Sequence, residues 1–251
     1  MLNIMLCGCG GRMGAAVAAA AAAAGDRITV GVDINPATAS PYPVFTSPDE
    51  FDGKVDVIID FSHHSALNGL LSYAERTATP IIVCTTGHSQ EELALMKDAA
   101  TRVPVFFSRN MSLGINLLLA LCRRAAATLG TDFDVEIIEK HHNKKLDAPS
   151  GTALMLADAV AQADDAAHPY VYERASERRA RARGEIGISA IRGGTIVGEH
   201  EVLFCGKDEV ITLAHSATSR EVFATGAMRA AHFMVGRPAG LYNMDNVIQA
   251  L

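Results

Sequence analysis

Residues Asn3 to Asp33 set an apolar run, a glycine cluster, an alanine-rich stretch and a second β-type run in immediate succession. Asn3 to Cys7 reads as a short strand buried on both faces. Gly8, Gly10, Gly11 and Gly14 follow, then Ala15 to Ala24, the composition with the highest intrinsic helix propensity. Strand, glycine turn and helix is the context in which a loop can cradle a phosphate. The strict G-x-G-x-x-G spacing fails, because Met13 stands where the third glycine should be. Gly8-x-x-Gly11-x-x-Gly14 fits a looser spacing, which alone is a weak signal, since any glycine-rich turn opening a βα unit would look alike. The next element adds to it: Arg27 to Val32 is a second β run ending in Asp33. An acid at the end of the second strand is where the ribose hydroxyls of a dinucleotide are held.

Asp33 also bears on the cofactor. A 2′-phosphate about 5 Å from its carboxylate would meet roughly 3 kcal/mol of repulsion per unit charge at an effective dielectric near 20. Ile34 follows and offers no compensating cation, although Arg12 in the glycine loop is within reach of a phosphate. NADH is therefore favoured over NADPH, with NADPH the second candidate.

The βα alternation continues. Pro36 to Asp52 reads as an irregular crossing; Val55 to Phe61, Pro80 to Thr86 and Val103 to Phe107 read as strands. Ala66 to Arg76 and Glu91 to Arg102 read as the helices between them. The pattern predicts a parallel, doubly wound sheet with its ligand at the carboxyl ends of the strands. Those ends carry Asp33, then Cys84-Thr85-Thr86-Gly87, then Ser108-Arg109-Asn110-Met111-Ser112. His63 and His64 invite a metal reading, but adjacent histidines point apart and no Cys, Asp or Glu cluster completes a ligand set. No metal site is expected.

From Glu136 to Thr152 the chain reads Glu-Ile-Ile-Glu-Lys-His-His-Asn-Lys-Lys-Leu-Asp-Ala-Pro-Ser-Gly-Thr. It opens with strand character and closes on a helix start, which Ser150 can cap ahead of Gly151 and Thr152. Lysine ammonium groups and the positive end of that helix would converge on one place. Such a place suits a small molecule with carboxylates, to which His141 or Lys145 can hand a proton. A solvated basic turn is the ordinary alternative for a Lys/His run; the helix start behind it and the nucleotide loop upstream favour the site.

Asn116 to Gly130 reads as an amphipathic helix with Leu117, Leu118, Leu121, Ala125 and Leu129 on its apolar side, and Thr152 to Ala163 as another. Arg174 to Arg183 reads as a solvated or substrate-closing loop rather than a nucleic-acid surface, since no aromatics interleave. After Gly184 three β runs follow, at 185–191, 195–204 and 209–215, with hairpin signals at Gly193-Gly194 and Gly206-Lys207-Asp208. Ile188, Val197, Val202 and Ile211 look short of helices to cover them, which points to burial against another subunit. Arg220 to Val235 reads as a helix, and 244–251 as a short one returning to the first half.

Composition narrows the class. A net charge of −6 over 251 residues argues against a general nucleic-acid binder. Cys7, Cys9, Cys84, Cys122 and Cys205 form no CxxC pair and suit free thiols in a reducing cytoplasm. No leader is read ahead of Met1-Leu2-Asn3-Ile4 and no uninterrupted apolar span of membrane length, so a soluble, cytoplasmic protein with no membrane partner is expected.

The chain resembles the 4-hydroxy-tetrahydrodipicolinate reductase (dihydrodipicolinate reductase) family over nearly its whole length. Glu139-Lys140-His141-His142-Asn143-Lys144-Lys145-Leu146-Asp147-Ala148-Pro149-Ser150-Gly151-Thr152-Ala153 is similar to the family's long and specific E-x-H-H-x-x-K-x-D-A-P-S-G-T-A pattern. Gly-Arg-Met-Gly at 11–14, Thr85-Thr86-Gly87, Asn110 to Gly114, Gly198-Glu199-His200 and Gly240-Leu241-Tyr242 look like family segments too. Cys84 departs from the glycine of many members, and Ile34 from the basic residue some carry after the ribose-binding acid. The resemblance implies an NAD(P)H-dependent reductase of diaminopimelate and lysine biosynthesis, acting on a small cyclic dicarboxylate. It implies an α/β protein with a Rossmann-like dinucleotide-binding domain (1–112 and 221–251). The other domain (113–220) would be an α+β substrate and oligomerisation domain with a mixed, largely antiparallel sheet. The family is typically a homotetramer whose two domains close on a hinge. Residue by residue, it implies His141 and Lys145 as the acid–base pair, and His142, Gly151 and Thr152 as holders of the substrate carboxylates. Gly8, Cys9, Gly10, Gly11, Arg12, Met13, Asp33, Cys84, Thr85, Thr86, Ser108, Arg109, Asn110 and Met111 would line the cofactor. Lys145 would be a proton donor tuned by crowding from Lys144 and His141.

Overall fold

The computed structural model describes residues 1–35, 40–164 and 166–250; the start of the expected 36–52 crossing, position 165 and the last residue of the expected 244–251 helix lie outside these. The chain forms two compact units, Met1–Leu113 with Arg220–Leu251, and Gly114–Ser219.

The first unit is a seven-stranded parallel sheet. In chain order it contains β1 (Asn3–Cys7), α1 (Arg12–Ala23), β2 (Arg27–Val32), β3 (Val44–Phe45), β4 (Val57–Asp60), α2 (Leu67–Thr77), β5 (Ile81–Val83), α3 (Gln90–Ala99) and β6 (Pro104–Phe107). Strand order is β12-β6-β5-β4-β1-β2-β3, where β12 (Gly240–Tyr242) is an edge strand from the end of the chain. Every pairing in this sheet is parallel. The expected crossing at 36–52 contains two ordered pieces, β3 and a 3₁₀ turn at Pro48–Glu50 held by a Ser47/Glu50 capping box.

Two apolar layers sandwich the sheet, which is why its strands read as unbroken hydrophobic runs. One packs Ile4, Leu6, Ile59 and Phe106 against α1 and α6 (Glu221–Met234); the other packs Met5, Ile58, Ile81 and Val105 against α2 and α3. The first layer is built of small residues. Ala224, Ala227, Ala230, Ala231 and Gly226 of α6 are buried there, so the helix lies close to its neighbours. A Cβ on Gly226 would overlap the Met111 carbonyl oxygen.

The second unit contains α4 (Leu113–Leu129), β7 (Asp134–His141), α5 (Gly151–Ala161), β8 (Tyr170–Val171), β9 (Ile186–Arg192), β10 (Gly198–Cys205) and β11 (Val210–Ala217). Its sheet runs β11-β10-β7-β9-β8. The hairpin expected at Gly206-Lys207-Asp208 forms, with β10 and β11 antiparallel. The one expected at Gly193-Gly194 does not. β7 lies between β9 and β10, parallel to the first and antiparallel to the second. The Gly-Gly segment is a connection across β7, whose alternating apolar face earns it the central position.

Two packing expectations also change. Ile188 and Val202 are buried under α4 and α5, and Ile211 packs partly against the same core, while Val197 lies outside any strand. The uncovered side is the opposite one, where Ile191 and Val210 are exposed. On α4 the buried face is Ile115, Leu118, Leu119 and Cys122, whereas Leu117 and Leu121 are about half exposed. The segment Leu113–Asp132 is long and apolar enough to cross a membrane by length and composition. Here Arg123 and Arg124 interrupt it, and its apolar face completes the second unit's core.

Gly226→Ala should therefore push α6 off the Met111 carbonyl. The expected cost is about 2 kcal/mol or more, read as a lowered chemical-denaturation midpoint.

Candidate active site

The carboxyl ends of β1, β2, β4, β5 and β6 carry two adjoining hollows in the first unit. One, of about 730 Å³, is lined by Gly8, Gly10, Gly11, Asp33, Ile34, Asn35 and Ser47 among others. The other, of about 460 Å³, is lined by Met13, Cys84, Thr85, Thr86, Arg109, Asn110 and Met111. Phe61, Ser62 and His63 border both, so the crevice is continuous.

The glycine loop is shaped for close approach. Gly8 has φ +76°, and a Cβ there would come 2.5 Å from the Phe61 carbonyl oxygen, so only glycine fits. Gly11 is the N-cap of α1 and has no side chain to cap it, leaving the first helical amides for an anion. Asp33 ties this loop to β2: its carboxylate accepts from the Gly10 N–H at 2.9 Å and the Asn35 N–H at 3.0 Å.

Two of the expected cofactor residues, Cys9 and Ser108, spend their side chains elsewhere, and a third, Arg12, faces solvent. Cys9 tucks its Sγ beside Gly31 and Tyr42, beneath the loop. Arg12 is exposed at the first position of α1. Ser108 is buried and spends its hydroxyl on the Asn110 carbonyl at 2.7 Å. One supporting group was not expected: Asp60 at the end of β4, 1% exposed. It accepts from the Ser62 hydroxyl (2.5 Å), the Ser62 N–H (2.8 Å) and the Thr85 hydroxyl (2.9 Å). Burial raises its pKa against the pull of those bonds. The acid at the end of Val-Asp-Val-Ile-Ile-Asp-Phe is its only sequence signal.

In the second unit the site grows from the pleat of β7. Its inward residues are Val135, Ile137, Glu139 and His141, so one face passes from apolar core to two ionisable groups. Glu139 is fully buried, and its cost of desolvation is met by four donors. Arg192, at the end of β9, donates to both oxygens (2.7 and 2.8 Å), the Ser150 N–H to Oε1 (3.0 Å) and His141 Nδ1 to Oε2 (2.6 Å). Burial works to raise the Glu139 pKa, but the bonds from Arg192 and then His141 outweigh it and the carboxyl lies below its usual range. For His141, burial lowers the proton affinity, Glu139 opposes that, and Lys145 and Arg192 lower it further; the balance is downward.

Ser150 caps α5 as expected, its Oγ accepting from the Ala153 N–H at 3.1 Å. The same hydroxyl meets His200 Nε2 at 3.1 Å. His200, on β10, stands edge-on to the His141 ring with centroids 5.2 Å apart. Burial, then the neighbouring His141, takes its pKa down to about 4. Lys145 is half-buried with Nζ 2.8 Å from Asp147 Oδ1, while Lys144 is exposed. The nearest charge to Lys145 is thus an anion, contrary to the expected crowding by cations. Gly151 and Thr152 form the first turn of α5, and His142 begins the loop, its carbonyl accepting from the Lys145 N–H at 3.2 Å.

The basic segment is largely exposed, as its solvated alternative has it, but most of its arginines are paired. Arg174, Arg181 and Arg183 bond Glu136, Asp134 and Asp132, and Arg174 also holds the buried Glu185. These partners flank the start of β7; Glu136 lies about 17 Å and Asp134 about 23 Å along the strand from His141. The loop braces the sheet at this end.

Comparison with known proteins decides the family. The model described as "Dihydrodipicolinate reductase, N-terminus" matches residues 2–111, and "Dihydrodipicolinate reductase, C-terminus" matches 114–248. The chain belongs to the dihydrodipicolinate reductase family. Its activity is that of a 4-hydroxy-tetrahydrodipicolinate reductase, an NAD(P)H-dependent oxidoreductase of lysine biosynthesis. A protein of that name from Caldanaerobacter subterraneus subsp. tengcongensis is 47% identical over 250 residues, 99% of each chain. Another, from Clostridium tetani, is 45% identical over 251 residues, covering 100% of this chain and 98% of the relative. The fold is shared with a dipicolinate-bound dihydrodipicolinate reductase from Paenisporosarcina sp. TG-14. That match has TM-score 0.79 and 24% identity, over 98% of this chain and 99% of the other. An aspartate dehydrogenase from Thermotoga maritima shares the fold more distantly, with TM-score 0.55 and 10% identity over 95% and 98% of the chains.

A histidine whose folded pKa lies below its unfolded value stabilises the fold above the unfolded pKa and loses that contribution on acidification. For this reductase, His200 should cost about 3 kcal/mol of stability as pH falls from about 6.5 to about 4. Denaturation midpoints across that range should drop steeply for the native sequence and less steeply for His200→Gln.

Proposed function

We propose that His141 and Lys145 are the acid–base pair of the reduction, with His142, Gly151 and Thr152 holding the two carboxylates of the substrate. The observation that carries this is one cluster: a histidine clamped at Nδ1, a lysine four residues on, and the N-terminus of α5, all in one loop. That the fold relative from Paenisporosarcina is dipicolinate-bound supports a small cyclic dicarboxylate as ligand. Each charge-assisted contact to a carboxylate contributes roughly 1–3 kcal/mol. An arriving carboxylate would compete with Asp147 for the Lys145 ammonium.

The bound nicotinamide supplies the hydride that adds to one carbon of the conjugated imine. Negative charge then develops at the far end of the conjugated system, and the chain must deliver a proton there. Lys145 carries three N–H donors and His141 a free Nε2, so this loop holds both a proton source and a group to relay it. The helix end and the lysine stabilise the developing charge without having to reorganise.

For the cofactor we infer that Gly8, Cys9, Gly10, Gly11, Arg12 and Met13 approach the pyrophosphate, and that Asp33 receives the ribose hydroxyls. Cys84, Thr85, Thr86, Ser108, Arg109, Asn110 and Met111 border the nicotinamide half, some through their backbone only. NADH is the preferred donor. Among the described residues lining the Asp33 hollow there is no lysine or arginine to receive a 2′-phosphate. The first unit serves as the cofactor domain and the second as the substrate and assembly domain. A homotetramer formed through the uncovered sheet face, where Ile191 and Val210 are exposed, fits the same reading, as does a cytoplasmic setting with free thiols.

Incubation with NADH and freshly generated cyclic substrate, followed by nicotinamide absorbance, tests the assignment. Lys145→Ala should lower kcat by about 10²–10⁴-fold with the melting temperature unchanged, and near-normal turnover would reassign the lysine. His141→Gln should reduce kcat more than it raises KM. Asp33→Ala should shrink the NADH-over-NADPH ratio of kcat/KM by about ten- to a hundredfold. Light scattering should return the mass of four chains.

A further inference from the structure

We propose that Glu139 and Arg192 are positioning residues that fix the tautomer of His141 and present its Nε2 to the substrate. The inference rests on the reading of His141 as a proton-handling group and deepens it.

Four donors converge on the Glu139 carboxylate, and three of them cannot reverse direction. Both Arg192 contacts and the Ser150 N–H can only donate. The carboxylate is therefore held ionised and acceptor-only, and the fourth contact must be a donor as well. His141 Nδ1 lies 2.6 Å from Oε2, so the ring hydrogen sits on Nδ1 and the lone pair of the neutral imidazole sits on Nε2. Nε2 has no hydrogen-bond partner among the described residues. It faces Gly198 of β10, where a Cβ would come 3.0 Å from it. A glycine there keeps the reactive nitrogen uncovered.

Arg192 also determines how strongly the carboxylate acts. An isolated Glu139 would hold a proton on the imidazole; with its charge matched by a guanidinium it orients the ring and binds the proton less. The other groups facing His141 are His200 on β10, Lys145 and Asp147 in the following loop and, behind His200, His215 on β11. Burial, Lys145 and Arg192 keep the imidazole neutral near neutral pH before substrate arrives. A ligand with two negative charges then favours protonation at Nε2, the one open position, where the proton can be passed on. Arg192 further donates to the Ile191 and Asp147 carbonyl oxygens, both at 2.7 Å. It thereby holds the end of β9 to the loop that carries Lys145, so one guanidinium sets the positions of both proton-handling side chains.

Glu139→Gln preserves size but lets the amide donate to Nδ1, which would move the ring hydrogen to Nε2. The expected result is a kcat lowered by about a hundredfold with KM changed by less than about threefold. The ¹⁵N spectrum of His141 should switch from the Nδ1–H to the Nε2–H pattern, which a merely structural role would not cause. In a His141→Gln background the same substitution should cost nothing more, because Glu139 acts through the ring. If Glu139→Gln does not fold, Arg192→Lys keeps the charge but loses the fork; it should lower kcat about tenfold and give mixed tautomer signals. Unchanged tautomer signals, a kcat within about threefold of normal, or an equal loss in the His141→Gln background would overturn the positioning role. A His141→Gln enzyme with normal kcat would instead overturn the proton-handling reading itself.

Discussion

A carboxylate with no access to water organises the second unit. Taking Glu139 out of solvent costs several kcal/mol, and the structure meets that cost only by bringing β7, β9, the 142–150 loop and the cap of α5 to one point. Remove the guanidinium and a buried charge remains; remove the carboxylate and an arginine, a helix-start amide and an imidazole lose their common acceptor. The 142–150 loop is held because its ends are anchored to this group. His200 and Ser150 extend the network one step further, and their neutrality keeps the total buried charge low. The geometry of the 142–150 loop thus derives from a balance of charge inside the sheet.

The first unit solves a different problem with different means. Its crevice is shaped by what is absent: no side chain at Gly8 and no side-chain cap at Gly11. Buried Asp60 plays there a part comparable to Glu139, holding Ser62 and Thr85 at the ends of adjacent strands. Uncapped backbone amides at the start of α1 and one acid, Asp33, face the crevice there.

Much of this was legible in the sequence, and the failures have physical reasons. Uninterrupted apolar runs between helical segments specify a parallel sheet, because only strands covered on both faces tolerate them. The Ser150 cap and the strand before it were readable from local chemistry. The hairpin at Gly193-Gly194 was misread because glycine pairs signal a turn without saying which strands it joins; β7 takes the central place through long-range packing. The phase of α4 was misjudged because leucines crowd its whole circumference, so Leu117 and Leu118 look equivalent until a sheet selects one side. Glu139 was visible only as one letter of a family pattern. A lone acid in a strand looks solvent-facing unless the arginine that neutralises it, fifty-three positions later, is known. The basic run at 174–183 was ambiguous for the same reason, since its anions lie on another strand.

The core beneath β1 is completed by α6, so it joins segments that lie on opposite sides of the second unit in the sequence. A nascent chain leaving the ribosome can pair β1 with β2 and β4 early. Its apolar layer stays open until α6 emerges, whereas everything needed for the inserted unit is already outside. Synthesis from the N-terminus therefore hands a chaperone a half-covered first unit and a finished insert, and the order of maturation inverts the order of translation.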